Sequence, residues 1–128
     1  KEQGARVVAV CSSPNFEMVV SLGADNAIDY RKQDYSSLEK KFDIVFDAVG
    51  KTSKSKAKKV LKQGGSFVTV KSLTSPKQEH LNKLHELAEA GKVRPYLDKC
   101  FPLSEIVAAH EYVDKGQKKG NVVIEIAN

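Results

Sequence analysis

An uninterrupted apolar run within residues 6–11 is the feature that most restricts what this chain can fold into. Its valine-rich composition is typical of a strand that is buried on both faces of a parallel sheet. Ser13 suits the cap of a helix over residues 14–22, with Pro14 at its first position and Gly23 at its end. A second short strand is expected at residues 27–30. This stretch therefore predicts half of a nucleotide-binding strand–helix–strand unit.

Strand and helix continue to alternate after this first unit. A lysine-rich helix is expected to stop at Gly64 and Gly65, and a long amphipathic helix at Gly91. Such alternation favours right-handed crossovers in a parallel sheet, so the chain is predicted to be α/β, a Rossmann-like parallel sheet with flanking helices. The expected strand, helix, strand and helix occupy residues 42–47, 53–62, 66–70 and 76–90.

The pattern changes beyond Gly91. An extended stretch, a helix capped by Ser104 and a last strand are expected at residues 93–101, 104–115 and 121–126. We therefore assign residues 1–92 to a partial dinucleotide-binding domain and residues 93–128 to a separate carboxyl-terminal segment.

Composition restricts the classes of partner. The 128 residues are 41% hydrophobic and 29% charged, which is ordinary for a globular domain. The net charge of +5 suits a phosphorylated small ligand as well as a polyanion, because 16 acidic residues are interspersed among 21 basic ones. The lysine-rich run at 51–62 has no interleaved aromatic residues, so we interpret it as a solvated helix face, with no nucleic-acid partner.

Two cysteines and short apolar runs indicate the compartment. Cys11 and Cys100 form no CxxC motif, and we expect reduced, buried thiols in a cytoplasmic protein. The longest apolar runs, of about five residues, are far too short to span a membrane.

Several segments, taken in order, resemble the medium-chain dehydrogenase/reductase superfamily. Within it they look most like the zinc-free quinone and enone oxidoreductases, the branch that includes zeta-crystallin. The resemblance implies a Rossmann domain and hydride transfer from NADPH (NADP) to a small quinone or enone. The segments that carry it are residues 22–25, 28–30, 42–50, 64–65, 90–95 and 118–123.

The sequence departs from that family in two places. A Gly-rich phosphate loop and first strand, expected ahead of residue 6, are absent, and so is the amino-terminal catalytic domain. Val70 also leads almost directly into the helix that begins at Pro76, where many relatives insert another strand and helix. The chain therefore looks like a carboxyl-terminal fragment of such an enzyme.

Residues at the carboxyl ends of the expected strands are the candidates for cofactor binding. The first strand ends in Ser12 and Ser13, with no carboxylate, which favours a 2'-phosphate over a free ribose. The resemblance gives the NADPH role to both serines and to Tyr30, with Arg31 as a possible charge partner. The alternative is structural, with Ser13 as a helix cap and Tyr30 as a surface aromatic.

The next two strands end in a second group of candidates. The resemblance places Val49 and Gly50 near the ribose and nicotinamide, and Val70 and Lys71 along the nicotinamide channel. Asp47 has an alternative role as the cap of the turn that follows it.

No catalytic residue and no metal site are assigned. His80 and His85 are five residues apart, so they miss the i, i+4 spacing of a zinc-binding helix. His110 is followed by Glu111 but lacks the second histidine of an HExxH motif. No GxSxG-type motif marks a nucleophile.

The missing first strand leads to two structural hypotheses. In the strand order 3-2-1-4-5-6, the first strand lies between the second and the fourth, so its loss leaves a gap of roughly 9 to 10 Å there. Either the strand at 7–11 pairs directly with that at 42–47, or another chain supplies the missing strand. The final apolar strand would also need a new partner, which favours a homodimer.

The sequence leads to three alternative hypotheses about function. The leading one is the cofactor-binding part of an NADPH-dependent oxidoreductase. The alternatives are a non-catalytic α/β binding or interaction module and an unrelated nucleotide-binding α/β protein.

Overall fold

The computed structural model describes residues 1–72, 75–116 and 118–126, in two compact units, Lys1–His80 and Leu81–Asn128. Helices and strands alternate through most of the chain. They are β1 (Val8–Cys11), α1 (Phe16–Ser21), β2 (Asn26–Asp29), β3 (Phe42–Asp47), α2 (Lys54–Lys58), β4 (Leu61–Thr69), α3 (Gln78–Glu89), β5 (Leu97–Pro102), α4 (Ile106–Asp114) and β6 (Asn121–Glu125).

Every pair of hydrogen-bonded strands in the described residues is parallel. β1 pairs with β2 and β3 with β4 in the first unit, and β5 pairs with β6 in the second. The α/β class with parallel strands and flanking helices is confirmed. The strands nevertheless form three separate two-stranded sheets, and the expected direct pairing of β1 with β3 was wrong.

A glycine ends α1 as the sequence predicts. Gly23 has φ +101°, its N–H donates to Val20 O at 2.9 Å, and the Ala24 N–H donates to Val19 O at 3.0 Å. These two bonds form a Schellman motif, which requires the left-handed backbone that glycine adopts without strain. The helix is shorter than expected because residues Ser13–Asn15 form a 3-10 turn before it.

The expected helix at 53–62 was wrong at its carboxyl end. Ser53 caps α2 by accepting the Lys56 N–H at 3.2 Å, but the helix stops at Lys58 and residues 61 and 62 already belong to β4. The cause is the fully buried Val60, whose carbonyl accepts the Phe42 N–H at 2.8 Å and so aligns the chain with β3.

Gly64 and Gly65 therefore do not stop a helix; they lie inside β4. Gly64 has φ +77°, and a Cβ on Gly65 would lie 3.0 Å from the Asp43 carbonyl oxygen. The two glycines let β4 follow β3 through the register shift between Phe42 and Ile44.

The second unit matches the expected order with shifted ends. α3 ends before Gly91, which has φ +65°. Ser104 does not cap α4: it lies in the 3-10 turn Leu103–Glu105. β6 pairs with β5 of the same chain. It therefore does not need a strand from a second copy, which was the reason to expect a homodimer.

The apolar core is small. Its buried hydrophobic residues, among those described, are Ile28, Ala57, Val60 and Ala109. The expected burial of β1 on both faces was wrong, since Val10 is 46% exposed. β3 is also open on one side, where Ile44 and Phe46 are 63% and 61% exposed. Cys11 is half-buried and Cys100 is exposed, so burial of the second thiol was wrong. The part of the chain that the structure describes contains no helix long and apolar enough to cross a membrane.

Candidate functional site

The carboxyl ends of β1 and β2 are joined by a buried carboxylate. The Ser13 hydroxyl donates a hydrogen bond to Asp29 Oδ2, and the Arg31 N–H donates to Asp29 Oδ1 at 2.9 Å. Asp29 is the last residue of β2 and is buried. The Ser13 hydroxyl first, and then the Arg31 N–H, hold the pKa of Asp29 below its ordinary value, so the carboxylate is ionised at neutral pH.

This bond contradicts the helix-cap interpretation of Ser13, and its cofactor role stays a prediction. Ser13 does not cap a helix, because the cap of the 3-10 turn is Ser12 and no side chain makes a capping bond there. Asp29 was not among the predicted site residues. The available signal was its place directly after the apolar Ala27 and Ile28, at the end of the adjacent parallel strand.

Ser12 keeps its hydroxyl proton available. Its backbone is extended, with φ −81° and ψ 150°, where β1 gives way to the turn. Its Oγ accepts a long bond of 3.4 Å from Asn15 Nδ2. Ser12 can therefore donate to a ligand at this edge without losing that bond.

Tyr30 and Arg31 form an exposed pair immediately after β2. The Arg31 Cζ lies 5.7 Å from the centroid of the Tyr30 ring, and Tyr30 is 57% exposed. The Tyr30 N–H donates to Cys11 O at 3.3 Å, which holds the pair beside the end of β1. An aromatic face and a guanidinium at one edge can stack on a base and bind a phosphate.

The turn after β3 is organised by Asp47, which is 8% exposed. Its Oδ1 accepts the Gly50 N–H at 2.8 Å and the Val49 and Lys51 N–H groups at 3.3 Å. Its Oδ2 accepts the Thr52 N–H at 3.2 Å. Burial acts to raise the pKa of Asp47, but these N–H donors outweigh it and keep the pKa below its ordinary value. Asp47 is thus a cap of the turn.

That turn holds Gly50 with φ +74° beneath a lysine side chain. A Cβ on Gly50 would lie 2.7 Å from Lys71 Cε, which is part of a flexible side chain, so the left-handed backbone is the stronger reason for glycine here. The Lys71 N–H donates to Thr69 Oγ1 at 3.3 Å, just after β4 ends. Val49 and Val70 are both exposed at this edge.

A side-chain hydrogen bond links the segment that follows Tyr30 and Arg31 to the turn that carries Val49 and Gly50. The Tyr35 and Thr52 hydroxyls are hydrogen-bonded, which joins the connection after β2 to the turn after β3. Lys56 strengthens the link, with its Nζ 3.1 Å from Asp34 Oδ2 and 5.3 Å from the Tyr35 ring centroid. Ser12, Ser13, Tyr30 and Arg31 thus follow the ends of β1 and β2, and Val49, Gly50, Val70 and Lys71 follow the ends of β3 and β4.

Stability should fall in acid because these carboxyl groups have lowered pKa values. The pKa values of Asp29, Asp47 and Asp98 all lie below the ordinary value of 3.8. The pKa of Asp98 is lowered because its carboxylate accepts hydrogen bonds from the Lys119 N–H and the Tyr112 hydroxyl. A lowered folded-state pKa stabilises the fold above the unfolded value, and this contribution is lost as the pH falls through the folded value.

The test is urea unfolding at steps from about pH 6 to about pH 2. We expect the free energy of unfolding to stay constant down to about pH 4 and to decline below it. The decline should be less steep in Asp98→Asn than in Asp114→Asn, which changes an exposed carboxylate and serves as the control. A decline that is equally steep in both variants would show that Asp98 is not one of the responsible groups.

These features define an α/β protein of the Rossmann type, with polar groups collected at the carboxyl ends of parallel strands. The sequence profile described as "Zinc-binding dehydrogenase" matches residues 1–94, and a second profile of the same description matches 70–124. The chain belongs to this family, within the medium-chain dehydrogenase/reductase superfamily.

Two curated relatives and one solved structure show the extent of the similarity. The chain is 40% identical to 2-methylene-furan-3-one reductase of Solanum lycopersicum and 37% identical to the chloroplastic NADPH-dependent alkenal/one oxidoreductase of Arabidopsis thaliana. Each alignment covers 94% of this chain and 33% of the relative. The quinone oxidoreductase from Coxiella burnetii aligns with a TM-score of 0.79 and 24% identity, over 98% of this chain and 46% of that structure.

The described residues do not fit the zinc ion that the family description names. No group of three or more His, Cys, Asp or Glu side chains that could hold a metal ion occurs within residues 1–72, 75–116 and 118–126. The chain spans about a third of the length of the curated relatives that it matches.

Proposed function

We propose that this chain forms the NADPH-binding part of an oxidoreductase that reduces a quinone or an enone by hydride transfer without zinc. The two plant relatives carry names of reductases or oxidoreductases of such compounds, and one name specifies NADPH. The observation that carries the proposal is the exposed Tyr30–Arg31 pair, which the Tyr30 N–H bond to Cys11 O holds at the end of β1, next to Ser12 in the chain.

The adenosine end of the cofactor would bind at this first edge. The Tyr30 ring would stack on the adenine, and Arg31 and Ser12 would donate hydrogen bonds to the 2'-phosphate. Asp29 stays ionised while it accepts bonds from Ser13 and from the Arg31 N–H, so the positive Arg31 side chain would have to offset its repulsion of the phosphate. Ser13 therefore acts through Asp29, by fixing the loop that presents Arg31.

The nicotinamide end would lie at the second edge. Gly50 and Val49 would let the ribose approach the backbone, and Val70 and Lys71 would line the channel beside the ring. NADPH supplies the hydride when it is bound, so the task of these residues is to orient the ring and to exclude water.

Other properties of the whole protein remain predictions. A homodimer stays a prediction, although β6 has its strand partner within the chain, and so does a cytoplasmic location, although one of the relatives is named as chloroplastic. The substrate-contacting residues and the pyrophosphate loop would come from a longer polypeptide, and we assign no catalytic residue within this chain.

Calorimetric titration with NADPH and with NADH tests the proposal. A charge-assisted hydrogen bond contributes about 1.5 to 3 kcal/mol, so NADPH should bind at least about tenfold more tightly than NADH. The Arg31→Ala variant should lose about tenfold in NADPH affinity and change less than about twofold for NADH. Lys58→Ala, an exposed change of the same charge on α2, is the matched control.

Two results would contradict the proposal. Equal affinity for the two nucleotides would refute the 2'-phosphate role of Ser12 and Arg31. Binding of neither nucleotide would instead favour a non-catalytic α/β interaction module or a fragment that cannot bind the cofactor by itself.

A further inference from the structure

Two hydroxyl groups link the strand pairs of the first unit. Within residues 1–72 the strand ladders join β1 to β2 and β3 to β4, and none joins one pair to the other. The Tyr35 hydroxyl, in the connection after β2, is hydrogen-bonded to the Thr52 hydroxyl in the turn after β3. Both residues are half-buried, so water competes less for this bond than it would at the surface. The contact therefore helps to set where the connection lies relative to the turn.

Hydrogen bonds fix the path of the chain between β2 and Tyr35. The N–H groups of residues 32 and 33 both donate to Asp29 O, at 3.0 and 2.9 Å. Asp34 then caps the 3-10 turn that begins at Tyr35, since its Oδ1 accepts the Ser36 N–H at 2.9 Å. The Tyr35 hydroxyl is therefore carried by a segment that is held by hydrogen bonds and that directly follows Arg31.

The hydrogen bonds continue on the other side of the contact. The Thr52 N–H donates to Asp47 Oδ2 at 3.2 Å, and the other oxygen of Asp47 accepts the Gly50 N–H at 2.8 Å. The Thr69 hydroxyl donates to Asp47 Oδ2 at 3.4 Å and accepts the Lys71 N–H at 3.3 Å. The contact between the two hydroxyls is thus attached to the turn after β3 and to the end of β4.

A lysine of α2 lies beside the same contact. Lys56 Nζ is 5.3 Å from the Tyr35 ring centroid and 3.1 Å from Asp34 Oδ2. The side chains of this ion pair are each about half exposed, so the pair contributes little to the link. The bond between the Tyr35 and Thr52 hydroxyls is therefore the stronger of the two connections.

We propose that Tyr35 and Thr52 are positioning residues that hold the two ends of the cofactor site in register, so that one NADPH molecule binds at both ends at once. This role rests on the proposed function and adds to it two residues that are not proposed to contact the cofactor. A dinucleotide gains affinity from two linked half-sites because its second end binds intramolecularly. A loose link lowers that gain and leaves the affinity of either end by itself unchanged.

Calorimetric titration of the full chain with NADPH and with adenosine 2',5'-bisphosphate tests this role. Tyr35→Phe removes only the hydroxyl and keeps the ring beside Lys56. NADPH affinity should fall about tenfold, because the second end no longer binds at a fixed place. Affinity for the bisphosphate, which reaches the adenosine end alone, should change less than about twofold. Thr52→Val should show the same difference, and Thr52→Ser, which keeps a hydroxyl, should restore the native affinity for NADPH.

Amide exchange in the nucleotide-free chain tests the link itself. Thr52→Val should raise exchange at Ser36 and Ser37 at least about fivefold, because their 3-10 turn loses its partner across the contact. Adding Tyr35→Phe should raise it less than about twofold further, since both changes remove the same bond. Tyr96→Phe, which removes a tyrosine hydroxyl from the second unit, is the matched control and should leave exchange at this turn unchanged.

The contrary outcomes can be told apart. Native NADPH affinity in Tyr35→Phe would overturn the positioning role alone. An equal loss of affinity for NADPH and for the bisphosphate would overturn it too, because Tyr35 would then support only the adenosine end. Additive effects of the two changes on exchange would show that the hydroxyls do not act together. A native chain that binds neither ligand would contradict the proposed function and overturn the positioning role with it.

Discussion

Replacing Gly120 with alanine is expected to destabilise the β5–β6 pair by about 3 kcal/mol, because the new methyl group has no space. A Cβ at this position would lie 2.6 Å from Tyr96 Cδ1, and closer still to the Tyr96 carbonyl oxygen. That oxygen cannot move away freely, since it accepts the Asn121 N–H at 2.8 Å in the bond that starts the ladder. The mutation must therefore break this bond or shift the backbone.

Gly116→Ala is the matched control in the same unit. Gly116 has φ +65°, but a Cβ there would meet no atom within 4 Å. Its replacement should cost only the left-handed backbone penalty, about 1 kcal/mol. Urea titration together with amide exchange along β6 measures both variants. Equal losses would show that the Gly120 site relaxes and that close approach does not limit it.

The sequence predicted best where a single local signal determines an element. The bounds of β3 were correct because four apolar residues lie together within Phe42–Asp47, between a polar connection and a turn. Gly23 and Gly91 correctly ended α1 and α3, since a left-handed glycine after a helix needs no distant partner. Gly64 and Gly65 carried the same local signal, but the burial of Val60 against β3 placed them in a strand.

The candidate site was predicted in part for the same reason. One of the two interpretations of Asp47 was that it caps the turn that follows it. The sequence could predict this role because all four N–H donors lie within five residues of Asp47. The Ser13–Asp29 bond and the Tyr35–Thr52 bond join residues 16 and 17 positions apart. Such contacts depend on strand pairing and loop packing, which one sequence does not disclose.

Removing the Asp47 carboxylate should loosen the turn that carries Val49 and Gly50. In Asp47→Ala the N–H groups of residues 49–52 lose their shared acceptor in a partly buried place, where an unpaired donor is costly. Amide exchange at Gly50 and Thr52 should then rise by at least about tenfold. Affinity for NADPH should fall with it, since the proposed nicotinamide edge is built on this turn.

The same strand offers a control of equal charge. Asp43→Ala also removes one carboxylate from β3, but the Asp43 side chain is 79% exposed and pairs only with Lys62, so exchange at the turn should change less than about twofold. Asp47→Asn keeps one acceptor oxygen and should restore part of the protection that alanine removes. If Asp43→Ala loosens the turn as much as Asp47→Ala does, the effect comes from the loss of charge. If asparagine and alanine behave alike, the N–H groups do not depend on an acceptor at this position.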